Sequence, residues 1–264
     1  MTDLAHGCIK LEADATIARI TLNRPDRGNA FDLAMAEDFL EAAETVCDRV
    51  GKGLRVVILD AAGPMFCVGG DLQAFASTDA PGELMRQVTS KSNRAIELLT
   101  SAAVPVVTVV QGTAAGGGIG IMSAGDIIIA VDTAKFRMAY TAVGLTPDFG
   151  TSWLLTRDLG LARALDLTLT NRVFTATEAH SWGLISRTAD PENLAVDVEA
   201  TVNLLAAGST ATLAEAKKLL RDTSSVDFSA RLLREAETIS RMVNEPAAYE
   251  GIDAFLNRRE PKFS

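Results

Sequence analysis

Alternation and periodicity divide the chain into elements before any chemistry is considered. "CIKLEADATIARITLN" reads as two short strands, and its "TIARITL" part alternates apolar and polar positions with period two. The turn-rich stretch "LNRPDRGNAFD" follows. Asp32 then stands where an N-cap is needed for the helix "LAMAEDFLEAAETVCDRV", whose apolar residues recur at helical spacing. "RVVILDAAG" is a continuous apolar run short enough for a buried strand, and it ends in the loop "AGPMFCVGGDL". A helical region around 83–101 leads to the strand "PVVTVV", the loop "QGTAAGGG", a helix from about Gly117 and the strand "DIIIAVD". Strands separated by helices predict an α/β fold with a buried, largely parallel sheet. After Pro147 the pattern turns helical in "TSWLLTRDLG", "LARALDLTLT", "TATEAHSWG" and a long run from 191 to 258, with strand character only in "LISR". The expected organisation is a β-rich core over 1–190 followed by a helical region over 191–264, with no repeat or linker.

Composition narrows the class. The 264 residues suffice for one large domain, and 48% hydrophobic with 22% charged residues is ordinary for a globular protein. Aromatics at 5% predict an aliphatic core. A net charge of -9 argues against nucleic acid as a partner, because phosphate backbones need a basic face. The most apolar stretch, "VPVVTVVQGTAAGGGIGIMSAG", is broken by Pro105, Gln111 and glycines, so no membrane span is expected. "MTDLAHGCIKLEAD" lacks the basic and apolar regions of a signal peptide. Cys8, Cys47 and Cys67 have no metal-ligand spacing and read as buried free thiols. Together these features fit a cytoplasmic protein without a metal.

Two glycine loops, "FCVGGDL" and "GTAAGGGIG", each follow a buried strand. Neither is a Walker loop, and the second lacks the dinucleotide fingerprint. Glycines at a helix start permit close approach of a ligand to free N–H groups, so the loops serve either tight packing or an anion or oxyanion site. Asp148 is the single charged residue between Arg137 and Arg157, within "AYTAVGLTPDFGTSWLL". A carboxylate in apolar surroundings calls for a partner or a task. It serves either as a helix N-cap or as an acid/base.

Read together, "LNRPDRGNAFD", "AGPMFCVGGDL", "VQGTAAGGGIGIMSAGDIIIAVDTAKF", "VGLTPDFGTSWLL", "FTATEAHSWGLISR" and "YEGIDAFLNRREPKF" resemble the crotonase superfamily, the enoyl-CoA hydratase/isomerase family, over nearly the whole chain. The resemblance implies a β-β-α spiral core with a helical carboxyl-terminal region, assembly as trimers or dimers of trimers, and an acyl-CoA thioester as substrate. Coenzyme A would enter as part of that substrate, with no metal or redox cofactor. It also implies an oxyanion hole from the N–H groups of Gly70 and Gly117, each donor worth about 3–4 kcal/mol in the transition state. Val68, Asp71 and Leu72 would lie beside the thioester. Arg24 and Arg27 occupy the loop that approaches CoA phosphates in the family, unless they are solvated surface charges. Phe255 and Arg258 match positions that reach the CoA of an adjacent subunit.

The two glutamates of the family's hydratases are replaced, one by Gly120 and the other by Tyr140. Gly120 suggests a roomier pocket near the α-carbon, and Tyr140 either lines the acyl pocket or hydrogen-bonds Asp148. "GLTPDFG" is similar to the segment in which aspartate-using enoyl-CoA isomerases of the family carry their catalytic acid. The resemblance therefore implies a double-bond shift with Asp148 as acid/base. Hydration, thioester hydrolysis, dehalogenation and acyl-CoA binding without turnover are the alternatives. Dehalogenation would want a histidine in the helix before "VPVV", where neither His6 nor His180 stands.

Overall fold

The computed structural model describes residues 4–222 and 227–263. Its ten strands are β1 (Ile9–Ala13), β2 (Ile17–Leu22), β3 (Val56–Ala61), β4 (Met65–Cys67), β5 (Val106–Val110), β6 (Thr113–Ala115), β7 (Ile127–Val131), β8 (Lys135–Arg137), β9 (Phe174–Thr175) and β10 (Arg187–Ala189). They form a six-stranded sheet ordered β1-β2-β3-β5-β7-β10 and a four-stranded sheet ordered β4-β6-β8-β9. The large sheet is parallel except for β1 against β2, where Ile9 faces Leu22. Every side chain of β5 is buried, as the continuous run "VVTVV" requires of a strand covered on both faces.

The helices up to the functional region are α1 (Leu33–Cys47), α2 (Leu72–Ala76), α3 (Pro81–Ser101), α4 (Gly117–Met122) and α5 (Thr151–Leu159). Asp32 caps α1 as expected, accepting from Met35 N at 2.9 Å. The faces Met35, Phe39, Ala42, Val46 and Val88, Ser92, Ala95, Leu99 follow helical spacing, and α1 packs on α3. Then come α6 (Leu161–Thr170), α7 (Ala176–Ser181), α8 (Leu194–Ala207), α9 (Thr210–Arg221), α10 (Phe228–Met242) and α11 (Pro246–Leu256). The run expected to be helical over 191–258 is so in these four last helices, and residues 223–226 within it lie outside the described residues. Of these, α8 covers the large sheet, Val198 and Val202 meeting Val56, Ile58, Val107 and Ile129. In α9, Lys217 and Arg221 both pair with Asp126 at 2.8 and 2.7 Å, which ties the helix to the start of β7.

The small sheet departs from the sequence reading. The loops "AGPMFCVGGDL" and "QGTAAGGG" each hold a three-residue strand, β4 and β6, and β8 and β9 are equally short. Strands this brief carry no readable alternation. "LISR" contributes only Arg187 to β10. The core is mostly aliphatic, but the largest fully buried side chains include Phe31, Phe39, Phe66, Phe136 and Phe174, so the few phenylalanines are concentrated inside. Phe136 and Phe174 stack at 5.4 Å across β8 and β9. Cys67 is buried, whereas Cys8 and Cys47 are only half-buried, and all three are free. Among the described residues no helix is long and apolar enough to cross a membrane.

This topology places the site. Three times the chain leaves a strand of the large sheet and enters a strand of the small one, β3 to β4, β5 to β6 and β7 to β8. The first two times it returns through helix, and the third time it passes α5 and α6 to β9 of the small sheet before α7 and β10. β4, β6 and β8 are parallel neighbours, so their carboxyl ends open side by side. The segments that follow them are 68–71, 116–117 and 138–148.

Candidate active site

The first two segments bring the glycine loops into contact. Gly69 has φ +99°, and a Cβ added there would lie 3.1 Å from the Ala115 carbonyl and 3.3 Å from the Gly117 nitrogen. Any side chain would be both strained and in the way. The parallel bridge between Phe31 and Gly70 is closed by Phe31 N to Gly69 O at 2.8 Å and Asp71 N to Phe31 O at 2.9 Å, which leaves the Gly70 N–H out of the ladder. Gly117 is the first residue of α4, where an N–H has no intrahelical acceptor. Neither N–H donates to another protein group among the described residues. Two unused donors on abutting loops are what a developing oxyanion requires.

The third segment brings Asp148 to the same place. A Cβ at Gly117 would lie 2.6 Å from the Phe149 ring and 3.2 Å from Asp148 Oδ1. At Gly120 it would lie 2.5 Å from the Phe149 carbonyl oxygen and 2.6 Å from the Phe149 Cβ. Gly117 and Gly120 are thus the bare face of α4 on which Phe149 seats, and this contact sets Asp148 beside the glycine loops. The expectation of a roomier pocket at Gly120 is corrected by this geometry. Phe149 fills the space, and Gly120 does not line the cavity. Phe149 is itself left-handed at φ +49°, as is Ala139 at φ +61° on the other side of the segment. Non-glycine residues there cost about 1–3 kcal/mol each, which packing must offset.

The carboxylate of Asp148 does not cap a helix. The N-cap of α5 is Gly150, with no side-chain cap, and Asp148 enters only through its backbone carbonyl, which accepts from Thr151 N at 2.9 Å and from the Thr151 hydroxyl. The carboxylate instead accepts from the Tyr140 hydroxyl at 2.7 Å on Oδ1. Tyr140 Oη also lies 3.0 Å from Thr151 Oγ1. Burial pushes the Asp148 carboxyl above its usual range, and the Tyr140 hydrogen bond opposes that rise. Burial, then the Asp148 charge, push the Tyr140 phenol well above its ordinary value, so it stays protonated. Cys67, behind the glycine loop, is pushed up to about 12 by burial and is inert.

A cavity of about 290 Å³ joins these groups. Val68, Gly70, Leu72, Gly117, Tyr140 and Asp148 line it, with Phe75, Met85, Val143 and Leu145 forming apolar walls. Among the described residues lining it, Asp148 is the one acid. An outer cleft of about 330 Å³ shares Val68, Gly70 and Leu72 with it and adds Arg27, Ala30, Asp71 and Gln73.

The two arginines part company here. Arg27 lines the outer cleft and donates to Gln73 Oε1 at 2.5 Å. Arg24 is turned inward, paired with Asp32 at 3.0 Å and Asp71 at 3.1 Å and donating to the Ala30 carbonyl. Asp71 in turn caps α2, accepting from Gln73 N and Ala74 N at 3.2 Å. The expectation that Arg24 faces a CoA phosphate is therefore corrected: its charge is spent bracing the glycine loop. Phe255 and Arg258, at the end of α11, do not line either space, and Phe255 is 82% exposed. Sequence reasoning missed Phe149 and Thr151. The only signal for Phe149 was the three-residue spacing of Gly117 and Gly120, and Thr151 gave none.

Comparison with known proteins identifies the family and the fold. A family model described as enoyl-CoA hydratase/isomerase matches residues 12–264. The 1,2-epoxyphenylacetyl-CoA isomerase of Escherichia coli K12 is 35% identical over 94% of this chain and 95% of its own. A protein named "Probable enoyl-CoA hydratase" from Rhodobacter capsulatus is 31% identical over 99% of both chains. The crystal structure of an enoyl-CoA hydratase from Polaromonas sp. JS666 superposes with a TM-score of 0.90 at 30% identity, over 97% of this chain and 99% of that one.

Proposed function

The chain belongs to the enoyl-CoA hydratase/isomerase family, and we propose that within it the protein is an enoyl-CoA isomerase using Asp148 as acid/base. The observation that carries the reading is that, among the described residues, a single acid, Asp148, lines the cavity beside two N–H groups that donate to no other protein group. The thioester oxygen accepts from Gly70 and Gly117, which makes the C2 hydrogen of a 3-enoyl group acidic. Asp148 takes that proton, and the electron pair spreads into a dienolate held by the two donors. The same carboxyl then returns the proton to C4, and the double bond comes to lie between C2 and C3. Apolar walls that raise the Asp148 pKa bring its two protonation states closer in energy, which suits a group that must be base and then acid. No metal or redox step is needed, and coenzyme A is part of the substrate.

Hydration is the competing outcome, since a relative carries a hydratase name. It calls for one group to activate water and another to handle the α-proton. Product analysis on 3-enoyl-CoAs and crotonyl-CoA decides between them. The conjugated 2-enoyl product is expected from the first, with little 3-hydroxyacyl product from the second. Brisk hydration of crotonyl-CoA would sink the isomerase reading, and CoA release alone would point to a hydrolase.

Arg27 at the outer cleft supports entry of the CoA phosphates there. Exposed apolar side chains on α9, α10 and α11, among them Leu220, Leu233, Ile239 and Phe255, support assembly into a trimer or dimer of trimers. In such an assembly Phe255 and Arg258 would reach a neighbour's CoA. Truncation after Asn244 is expected to weaken CoA binding and assembly together, as read by calorimetry and sedimentation. An intact chain that is monomeric and fully active would contradict this.

A further inference from the structure

The segment 140–148 is closed by its own chemistry. Its ends follow and precede the two left-handed residues Ala139 and Phe149, and its first and last side chains, Tyr140 and Asp148, meet at 2.7 Å. Tyr140 has one hydroxyl hydrogen and two neighbours, Asp148 Oδ1 and Thr151 Oγ1. An ionised carboxylate is the stronger acceptor, so the hydrogen goes to Oδ1. Thr151 is fully buried and braces the arrangement from behind, through its hydroxyl to the Asp148 carbonyl and its contact with Tyr140 Oη.

We infer that Tyr140 is a positioning residue for Asp148: by occupying Oδ1 it leaves Oδ2 as the one oxygen that exchanges a proton with the acyl chain. The inference rests on the reading of Asp148 as acid/base. Its consequence is a shift along one face of the substrate. The C2–H bond breaks as Oδ2–H forms and the electron pair enters the dienolate; Oδ2–H then breaks as C4–H forms. Tyr140 stays protonated throughout and takes no proton itself.

The groups facing Asp148 are few. Tyr140 approaches from its own segment, Gly117 from α4, Thr151 from α5, and neutral Cys67 from β4. Leu72, Phe75 and Met85 across the cavity carry no charge. Without the Tyr140 hydrogen bond, burial is opposed only by the weaker backbone hydrogen bond at Asp148 itself, and the protonation of the carboxylate moves to higher pH.

Tyr140→Phe keeps the ring and removes the donor. Its kcat on a 3-enoyl-CoA is expected to fall roughly 10–100-fold, the usual weight of one hydrogen bond to a charged group. KM should stay within about twofold, since the hydroxyl is argued not to bind substrate directly. The acid limb of the pH–rate profile should move to higher pH. So should the infrared titration of the Asp148 carboxyl in the substrate-free protein, identified by difference against Asp148→Asn. Thr151→Val should move both in the same direction by less. A Tyr140→Phe protein whose acid limb and infrared titration both stay in place would overturn the inference, even if kcat fell. An Asp148→Asn protein that isomerises normally would instead remove the base reading. The infrared titration needs no turnover, so the two failures are distinguishable.

Discussion

Asp148→Asn is expected to lower isomerase turnover by about 10²–10⁴-fold while leaving the protein folded and its affinity for acyl-CoA close to normal. Asparagine preserves the size of the side chain and an oxygen for the Tyr140 hydroxyl, whose donor lies 2.7 Å from Oδ1. It removes only the capacity to take a proton. Stability should not suffer, and the sign follows from burial. The folded-state pKa of Asp148 is raised by desolvation, so its contribution favours folding at pH below the unfolded pKa and is lost as pH rises through the folded one. At neutral pH the buried charge therefore works against the fold, and an uncharged amide relieves it. Thermal unfolding should show the variant at least as stable as the parent. A variant that is unfolded would return Asp148 to a structural role, and one that turns over normally would move the acid elsewhere.

Gly120→Glu, the substitution that restores a hydratase-like glutamate at this position, is expected to damage the fold rather than install hydration. The added Cβ alone would lie 2.5 Å from the Phe149 carbonyl oxygen and 2.6 Å from the Phe149 Cβ. Overpacking of this kind costs about 1–3 kcal/mol. The carboxylate beyond it would have to desolvate among buried groups, at a cost of several kcal/mol more unless the segment moves. For a chain of this size the melting temperature should drop by roughly 10 °C or more. Because Phe149 carries Asp148, displacing it should also abolish isomerisation. A Gly120→Glu protein that melts like the parent and hydrates crotonyl-CoA would show that Phe149 is not the obstacle it is taken to be.

How far the sequence foretold this depends on the scale of the feature. Long apolar or periodic runs marked β1, β2, β3, β5 and β7 of the large sheet and α1 and α3 correctly, because burial on both faces or on one stripe leaves a pattern many residues wide, whereas the short β10 was misplaced. The small sheet left none: β4, β6 and β8 are three residues each, and their loops read as loops. Family-like motifs brought Gly70, Gly117, Tyr140 and Asp148 forward, and the fold places all four around one cavity. Arg24 and Gly120 were misjudged for a common reason. A residue's partners across the chain, Asp32 and Asp71 in one case and Phe149 in the other, are invisible until the backbone is closed. Thr151 is a further example, a helix residue whose hydroxyl meets that of Tyr140, eleven positions earlier in the chain, at 3.0 Å.

The central claim is that one carboxyl moves one proton from C2 to C4, and the label on that proton tests it most directly. A 3-enoyl-CoA carrying deuterium at C2 should be converted, under single-turnover conditions in ordinary water, to a 2-enoyl-CoA with part of the deuterium at C4, as read by deuterium NMR and mass spectrometry. Transfer and its partial loss to solvent should both vanish in Asp148→Asn. Label retained at C4 in that variant, or a wild-type product that carries an added hydroxyl and no shifted double bond, would contradict the account.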